Sequence, residues 1–161
     1  MKTCSSCRKS KPHSKFYPNY KTTERNPINP CKECKGSRKQ DQFTRSPEAF
    51  MRRMFSSLRS NRTVREEKRM IDWELTLDQL IEMYHTQDGR CAMTGILMTH
   101  QRAADQKNPY NISIDRLEIT GPYSIENIQL VCKIVNLTRQ SLSVSDYVNL
   151  CCNIADFNRE A

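Results

Sequence analysis

The 161-residue sequence has no apolar run approaching the roughly 18 residues that a membrane-spanning helix needs. Its opening stretch, MKTCSSCRKS, also has no apolar segment of the kind found in secretory signal peptides. These absences predict a non-membrane protein in an intracellular, reducing setting, that is, the cytoplasm. Hydrophobic residues make up only 37%, so the core is thin, and the length allows one domain or a small domain preceded by a metal-held module.

In a reducing setting, eight cysteines indicate metal binding or free thiols before disulfides. Four of them form the pairs Cys4-x2-Cys7 and Cys31-x2-Cys34, with 23 residues between the pairs. Each pair can supply two ligands of a tetrahedral zinc ion, and the poorly apolar segment between them needs an internal clamp. The spacing predicts a structural zinc module over 1–40, with His13 as a competing ligand and reactive thiols as the weaker alternative.

The other four cysteines do not predict a second zinc site. Thr94 and Val135 stand where knuckles that begin at Cys91 and Cys132 would have their second cysteine. Cys151-Cys152 are adjacent and would face different ways on a helix. We expect all four to be buried apolar thiols.

The net charge of +8 is unevenly distributed along the chain. Residues 1–70 contain 19 Lys/Arg and 6 Asp/Glu, whereas residues 71–161 contain 7 and 12. This asymmetry predicts a polyanionic partner on the N-terminal half, with nucleic acid the leading candidate and a solvated basic face the alternative. A helix predicted over 46–69 has one apolar stripe and arginines on its other faces, which suits a phosphate backbone. The candidate DNA-binding residues are Arg52, Arg53, Arg59, Arg62 and Arg65.

The order of predicted elements is typical of a small α+β protein. We divide it into a zinc module (1–40), a basic helical linker (41–75) and a third domain (76–161). The third domain is predicted to contain a helix after Thr76, a strand ending at Asp115, a turn at Gly121-Pro122, a strand over 128–132, a helix over 133–140, and a last helix capped by Ser143. The sequence has no internal repeat.

Four polar residues mark the strand ends, the turn and the helix of this third domain: Asp115, Arg116, Asn127 and Asn136. In this order they resemble the ββα-metal centre of the HNH endonucleases, and the CAMTG, Gly-Pro-Tyr-Ser and LVC segments resemble phage-type members. A Cys4 module ahead of the HNH unit is similar to several of those nucleases. The resemblance covers residues 85–145 well and 1–40 loosely. It implies an enzyme, a metal-dependent hydrolase of DNA phosphodiesters, associated with a phage or mobile element.

The residue types agree with that resemblance. Cutting a phosphodiester calls for a metal ion that neutralises charge on the phosphate oxygens. A carboxylate and an amide oxygen suit Mg²⁺ or Mn²⁺ better than zinc, which makes Asp115 and Asn136 the candidate ligands. Asn127 is expected to orient whichever group activates the water.

Arg116 departs from the family pattern, because most HNH centres have a histidine there as the general base. Arginine stays protonated, so it cannot accept a proton, but it can bind the scissile phosphate and stabilise the charge of the transition state. The base must then come from elsewhere, and the candidates are His100, Tyr110 and Tyr123. Some relatives with arginine at this position recruit a tyrosine, which slightly favours Tyr110. A metal-bound hydroxide that needs no protein base is a further alternative. If Asp115 and Arg116 serve one site, the strand must bulge or end there.

Two rival functions remain open from sequence. The first is a non-catalytic DNA-binding zinc protein with a decayed HNH site, which the presence of Asp115, Asn127 and Asn136 together disfavours. The second is an RNA-binding zinc module, which the few aromatic residues of the basic half disfavour. The DNA target and the oligomeric state stay open, with a homodimer as one alternative.

Overall fold

The computed structural model describes residues 1–17, 30–65, 71–101 and 108–159, except the side chains at 39–40 and 61–65. They belong to two compact units, Met1–Arg45 and Ser46–Ala161. Helices and two separate two-stranded sheets make the fold a mixed α+β one, as predicted. None of the described helices is both long enough and apolar enough to cross a lipid bilayer.

Among its described residues, unit 1 has a small hairpin, a 3-10 turn at His13–Lys15 and one α-helix. Strands β1 (Lys2–Thr3) and β2 (Ser10–Lys11) pair antiparallel, and helix α1 spans Lys32–Thr44. Its buried apolar residues are Cys4, Phe16 and Cys31, with Cys7 and Cys34 packed against them. A core this small supports the expectation that the unit needs a metal clamp. Helix α1 was not predicted, because its polar sequence KECKGSRKQDQFT has almost no apolar periodicity.

Helix α2 (Pro47–Arg65) begins as the sequence predicts, and residues 66–69 of the predicted span lie outside the described residues. The hydroxyl of Ser46 accepts the N–H of Ala49 at 3.2 Å, and proline fits the first helical position. The predicted apolar stripe packs against the core of unit 2, where Met51 is fully buried. The next helix, α3 (Leu77–Thr86), is capped by Thr76 and buries Leu80.

The remaining core elements are a hairpin and the helix that follows it directly. Strand β3 (Ile112–Arg116) pairs antiparallel with β4 (Ile128–Cys132), with Asp115 opposite Gln129 and Arg116 opposite Ile128. Helix α4 (Lys133–Arg139) starts at the end of β4 and packs on both strands. This strand–strand–helix order is the one that the sequence predicts.

Helix α5 (Val144–Arg159) corrects one prediction. Its cap is as expected, because Ser143 Oγ accepts the N–H of Asp146 at 3.1 Å. However, Cys151 and Cys152 are exposed and not buried, whereas Cys91 and Cys132 are buried as predicted. A helical apolar pattern indicates which residues share a face, but it does not determine whether another element covers that face.

Candidate metal and phosphate sites

A cavity of about 250 Å³ is lined by residues of α2, β3 and α4. The predicted metal ligands Asp115 and Asn136 and the predicted phosphate clamp Arg116 line it together. Strand β3 keeps its regular pairing through Arg116 and ends there. The strand end therefore allows both neighbouring side chains to border one cavity, which is one of the two solutions that the sequence left open.

The carboxylate of Asp115 is almost fully buried and already has partners. Arg139 donates from Nη2 to Oδ1 at 2.7 Å, and its Nε lies 3.3 Å from Oδ1 and 3.1 Å from Oδ2. Gln129 Nε2 donates to Oδ2 at 3.0 Å. A carboxylate has about four acceptor sites, so three N–H donors leave about one site for a metal ion. Asp115 therefore fits a metal ion as a ligand through a single oxygen.

Arg139 is the site residue that the sequence analysis missed. Its side chain is 1% exposed, and besides Asp115 it donates to the backbone carbonyls of Arg116 and Leu142. It thus ties the end of β3 to the end of α4. The available signal was spacing, since Arg139 follows Asn136 by three positions and shares its helix face. However, an arginine in the last turn of a helix often does no more than offset the negative end of the helix dipole.

The amide of Asn136 has a fixed orientation. Its Nδ2 donates to Ser113 Oγ at 2.9 Å and to the carbonyl oxygen of Ile114 at 2.7 Å. Because a carbonyl only accepts, Nδ2 must lie on that side, and both of its hydrogens are used. Oδ1 is then the atom that Asn136 can offer to a cation.

Asn127 does not line the cavity but holds the loop after β3. Its Oδ1 accepts the N–H of Glu118 at 2.8 Å, and its Nδ2 donates to the carbonyls of Glu118 at 3.0 Å and Pro122 at 2.8 Å. The loop packs so closely that a Cβ on Gly121 would lie 2.7 Å from Asn127 Nδ2. Asn127 therefore orients the loop whose Gly121 carbonyl binds Arg116.

Arg116 is held at two points. Its Nη1 donates to the carbonyl of Gly121 at 2.8 Å, and its guanidinium lies 4.8 Å from the ring centroid of Tyr123. The Tyr123 ring packs in turn against Trp73, with centroids 4.8 Å apart. A guanidinium has five N–H donors, so this anchoring leaves donors for a phosphate.

The candidate bases occupy different places. Tyr123 lines the cavity, whereas Tyr110 and His100 are not among its described lining residues. Tyr110 is 47% exposed, and His100 Nε2 lies 3.0 Å from Gln101 Nε2. Hydrogen bonds from the backbone N–H of Glu48 and from Ser46 lower the pKa of Glu48, and attraction to His85 and His100 adds to this.

The four cysteines of unit 1 form a cluster that could hold a metal ion such as zinc. The Sγ atoms of Cys4, Cys7, Cys31 and Cys34 all lie within 4.8 Å of one another. The competing ligand His13 is exposed and is not part of the described cluster. Four soft thiolates in a closed set suit a structural zinc ion.

Backbone N–H groups around Cys4 favour its thiolate. They come from Cys31 at 3.2 Å, Ser6 at 3.4 Å and Cys7 at 3.5 Å. Burial alone would raise the pKa of Cys4, but these hydrogen bonds lower it to about 6. Lys11 Nζ lies 3.5 Å from Cys31 Sγ and adds a positive charge beside the cluster. The electrostatics therefore suit thiolate ligands.

Replacing Cys31 with serine should release about one zinc ion per chain, because three thiolates hold the ion poorly. Zinc content is measured by plasma mass spectrometry after gel filtration, and limited proteolysis should then cut within residues 1–45. Cys151→Ser is the control, since Cys151 is exposed and outside the cluster. Undiminished zinc and unchanged protease resistance in Cys31→Ser would contradict the assignment.

Helix α2 carries the predicted basic surface. Its Met54 and Leu58 form part of the cavity wall, while Arg52, Arg53 and Arg59 are exposed. Arg62 and Arg65 belong to the same helix, but their side chains lie outside the described residues. Three of the five predicted cations are therefore at the surface of a helix that borders the cavity.

No protein-family model matches the sequence, and no curated protein matches it. Among solved structures, the chain is similar to the rare-cutting HNH restriction endonuclease PacI. The two share 18% identity over 97% of this chain and 94% of that chain, with a TM-score of 0.42. At these values, function has to be argued from this chain's own residues.

Proposed function

We propose that the protein is an HNH endonuclease that uses Mg²⁺ or Mn²⁺ to hydrolyse phosphodiester bonds in double-stranded DNA. The supporting observation is that Asp115, Asn136 and Arg116 line one cavity. An anionic oxygen, a neutral amide oxygen and a guanidinium are the groups that phosphodiester hydrolysis calls for.

Asp115 and Asn136 are the proposed metal ligands. Asp115 would contribute one oxygen, because Arg139 and Gln129 occupy the rest of its carboxylate. Asn136 would contribute Oδ1, because its Nδ2 is held by Ser113 and Ile114. Oxygen ligands of this kind suit Mg²⁺ or Mn²⁺, which when bound neutralises charge on the scissile phosphate.

Arg116 is the proposed phosphate clamp. Gly121 and the ring of Tyr123 fix its guanidinium, so little side-chain freedom is left to lose when phosphate binds. Its charge stays in place through the reaction and stabilises the negative charge that develops on the phosphate.

For the water's proton, we propose Tyr123 ahead of Tyr110 and His100. A general base must first be within reach of the reacting atoms, and Tyr123 is the one of these three that lines the cavity. The notable consequence is that Arg116 and Tyr123, which are stacked on each other, would replace the single histidine of most HNH centres.

The proposal is tested by incubating the purified protein with supercoiled plasmid DNA, with Mg²⁺, with Mn²⁺ and with a chelator. Nicked or linear DNA should appear with either ion and not with the chelator. Asn136→Ala should lose this activity by about 10²-fold or more, because it removes a metal ligand. Asn149→Ala, on the exposed part of α5, is the matched control and should cleave normally. DNA binding without cleavage under all these conditions would support the non-catalytic alternative.

Reversing Arg52 and Arg59 to glutamate should weaken binding to all DNA sequences alike. Both side chains are exposed on α2, and phosphate contacts carry little sequence information. The slope of log K against log salt should flatten by about two phosphate contacts. The control is the double reversal of Arg90 and Arg159, which changes the net charge equally at other exposed positions. Equal losses in both double variants would contradict a DNA surface on α2.

A further inference from the structure

The same backbone corner occurs once in each unit. In unit 1, the N–H of Cys4 donates to the carbonyl of Lys9 and the N–H of Arg8 donates to the carbonyl of Cys4, both at 3.0 Å. Residues Thr3 and Ser10, which flank the corner, form a β pair. Arg8, four residues after the cysteine, has a φ of 58°.

Unit 2 repeats this corner at Cys91 with the same residue offsets. The N–H of Cys91 donates to the carbonyl of Ile96 and the N–H of Gly95 donates to the carbonyl of Cys91, both at 2.9 Å. Arg90 and Leu97 form the flanking β bridge. Gly95, four residues after the cysteine, has a φ of 69°.

The second half of the zinc cluster is repeated as well. Cys31 is the N-cap of α1 and donates its N–H to Cys4 Sγ, and Cys132 is the N-cap of α4. Burial raises the pKa of the Cys91 thiol, but the Thr94 hydroxyl and the N–H groups of Cys132, Met93 and Thr94 lower it, as N–H groups at the same offsets do for Cys4. The two corners therefore match in their backbone hydrogen bonds and in the helix that follows.

The two corners differ at two of four ligand positions. Thr94 occupies the position of Cys7, and Val135 occupies that of Cys34. Val135 belongs to the buried core of unit 2. The repeat is not visible in the sequence, because CSSCRK and CAMTGI share only their first residue.

We propose that the Cys91–Cys132 corner has the backbone of a second thiolate zinc site. Thr94 and Val135 replace two of its four ligands, and apolar packing stabilises the corner in place of the ion. Two thiols are too few to hold a tetrahedral zinc ion, so the natural corner folds without one. Restoring the two missing thiols should therefore create a zinc site with no change of backbone.

The variant T94C/V135C tests this proposal through its zinc content. It should bind about one zinc ion per chain more than the natural protein measured alongside, because four thiolates complete the tetrahedral set. Loading with Co²⁺ should add the intense charge-transfer and d–d absorption of a tetrahedral thiolate site. The matched control is M93C/I134C, which adds two cysteines one position away from the ligand places and should bind no extra ion. A folded T94C/V135C with the zinc content of the natural protein would overturn the proposal.

Folding is followed by the fluorescence of Trp73, the one tryptophan of the chain, which belongs to unit 2. In the natural protein this signal and its melting temperature should persist after zinc is removed by a chelator. In T94C/V135C the melting temperature should instead fall on chelation and recover with added zinc. Unfolding of unit 2 in the natural protein on chelation would show that it depends on an ion, which also overturns the proposal. If T94C/V135C does not fold even with zinc present, the two positions do not accept ligands and the scaffold assignment fails.

Discussion

Replacing Arg139 with methionine is expected to lower the free energy of unfolding of unit 2 by about 3–5 kcal/mol, as for other broken buried ion pairs. The Asp115 carboxylate is 3% exposed, and Arg139 supplies its charged partner. Without the guanidinium, a charge would stay buried with Gln129 as its remaining donor. Two backbone carbonyls, of Arg116 and Leu142, would lose their donor as well. Urea denaturation followed by Trp73 fluorescence measures the change.

Two controls separate charge burial from simple loss of an arginine. Arg159→Met removes an exposed arginine 3.6 Å from Asp156 and should change stability by about 0–1 kcal/mol. The double variant Asp115→Asn with Arg139→Met leaves no buried charge and should recover much of the stability lost in the single variant. An Arg139→Met protein as stable as Arg159→Met would show that the buried pair does not hold the unit together.

This dual role of Asp115 affects how its variants are interpreted. Asp115 is at once the anchor of Arg139 and a proposed metal ligand, so its removal should lower both stability and cleavage. Asn136 is a cleaner probe of chemistry, because its hydrogen bonds are to neutral groups and their loss is less costly. Cleavage rates of Asp115 variants therefore need to be compared at equal fractions of folded protein.

Local features were the ones that could be predicted from the sequence. Cysteine spacing gave the cluster of unit 1, and helical periodicity with Ser46 gave α2. Alternation of polar and apolar residues predicted β3, and the apolar run 128–132 predicted β4. The helix and the strands rest on residues that are close together in the chain. The cysteine cluster joins two distant pairs, but two matched C-x2-C pairs indicate one shared zinc ion whatever the length of chain between them.

Features that depend on distant parts of the chain could not be predicted. The Asp115–Arg139 ion pair joins a strand to a helix, and the two residues are 24 positions apart, so no local pattern indicates it. Exposure of Cys151 likewise depends on whether another element covers α5. Tyr123, and not Tyr110, lines the candidate site, because Tyr123 directly follows Pro122 in the loop that Asn127 holds. The resemblance to HNH centres favoured Tyr110, and the sequence placed both tyrosines near Asp115 without distinguishing which of them lines the cavity.

The largest effect on chemistry without loss of fold is expected at Arg116. Arg116→Ala should slow cleavage by about 10²-fold or more, because it removes a charge that stabilises the transition state. Its side chain is only part-buried and is bonded to one carbonyl, that of Gly121, so stability should change little. The rate is measured by single-turnover cleavage of an oligonucleotide duplex, with DNA affinity measured separately in Ca²⁺. Arg90→Ala is the matched control, because Arg90 also donates to a glycine carbonyl at the surface.

Arg116→His then distinguishes a clamp from a base. A histidine at this position could accept a proton, as in most HNH centres, but it would give up the guanidinium contact with the phosphate. If Arg116 is the clamp and Tyr123 handles the proton, Arg116→His should not exceed the natural rate, and Tyr123→Phe should be slow at neutral pH. Tyr110→Phe and His100→Ala should cleave normally, since neither residue lines the cavity among the described residues. An Arg116→His enzyme much faster than the natural one, together with a fully active Tyr123→Phe, would show that the natural site operates without a protein base and that Arg116 occupies the place of one.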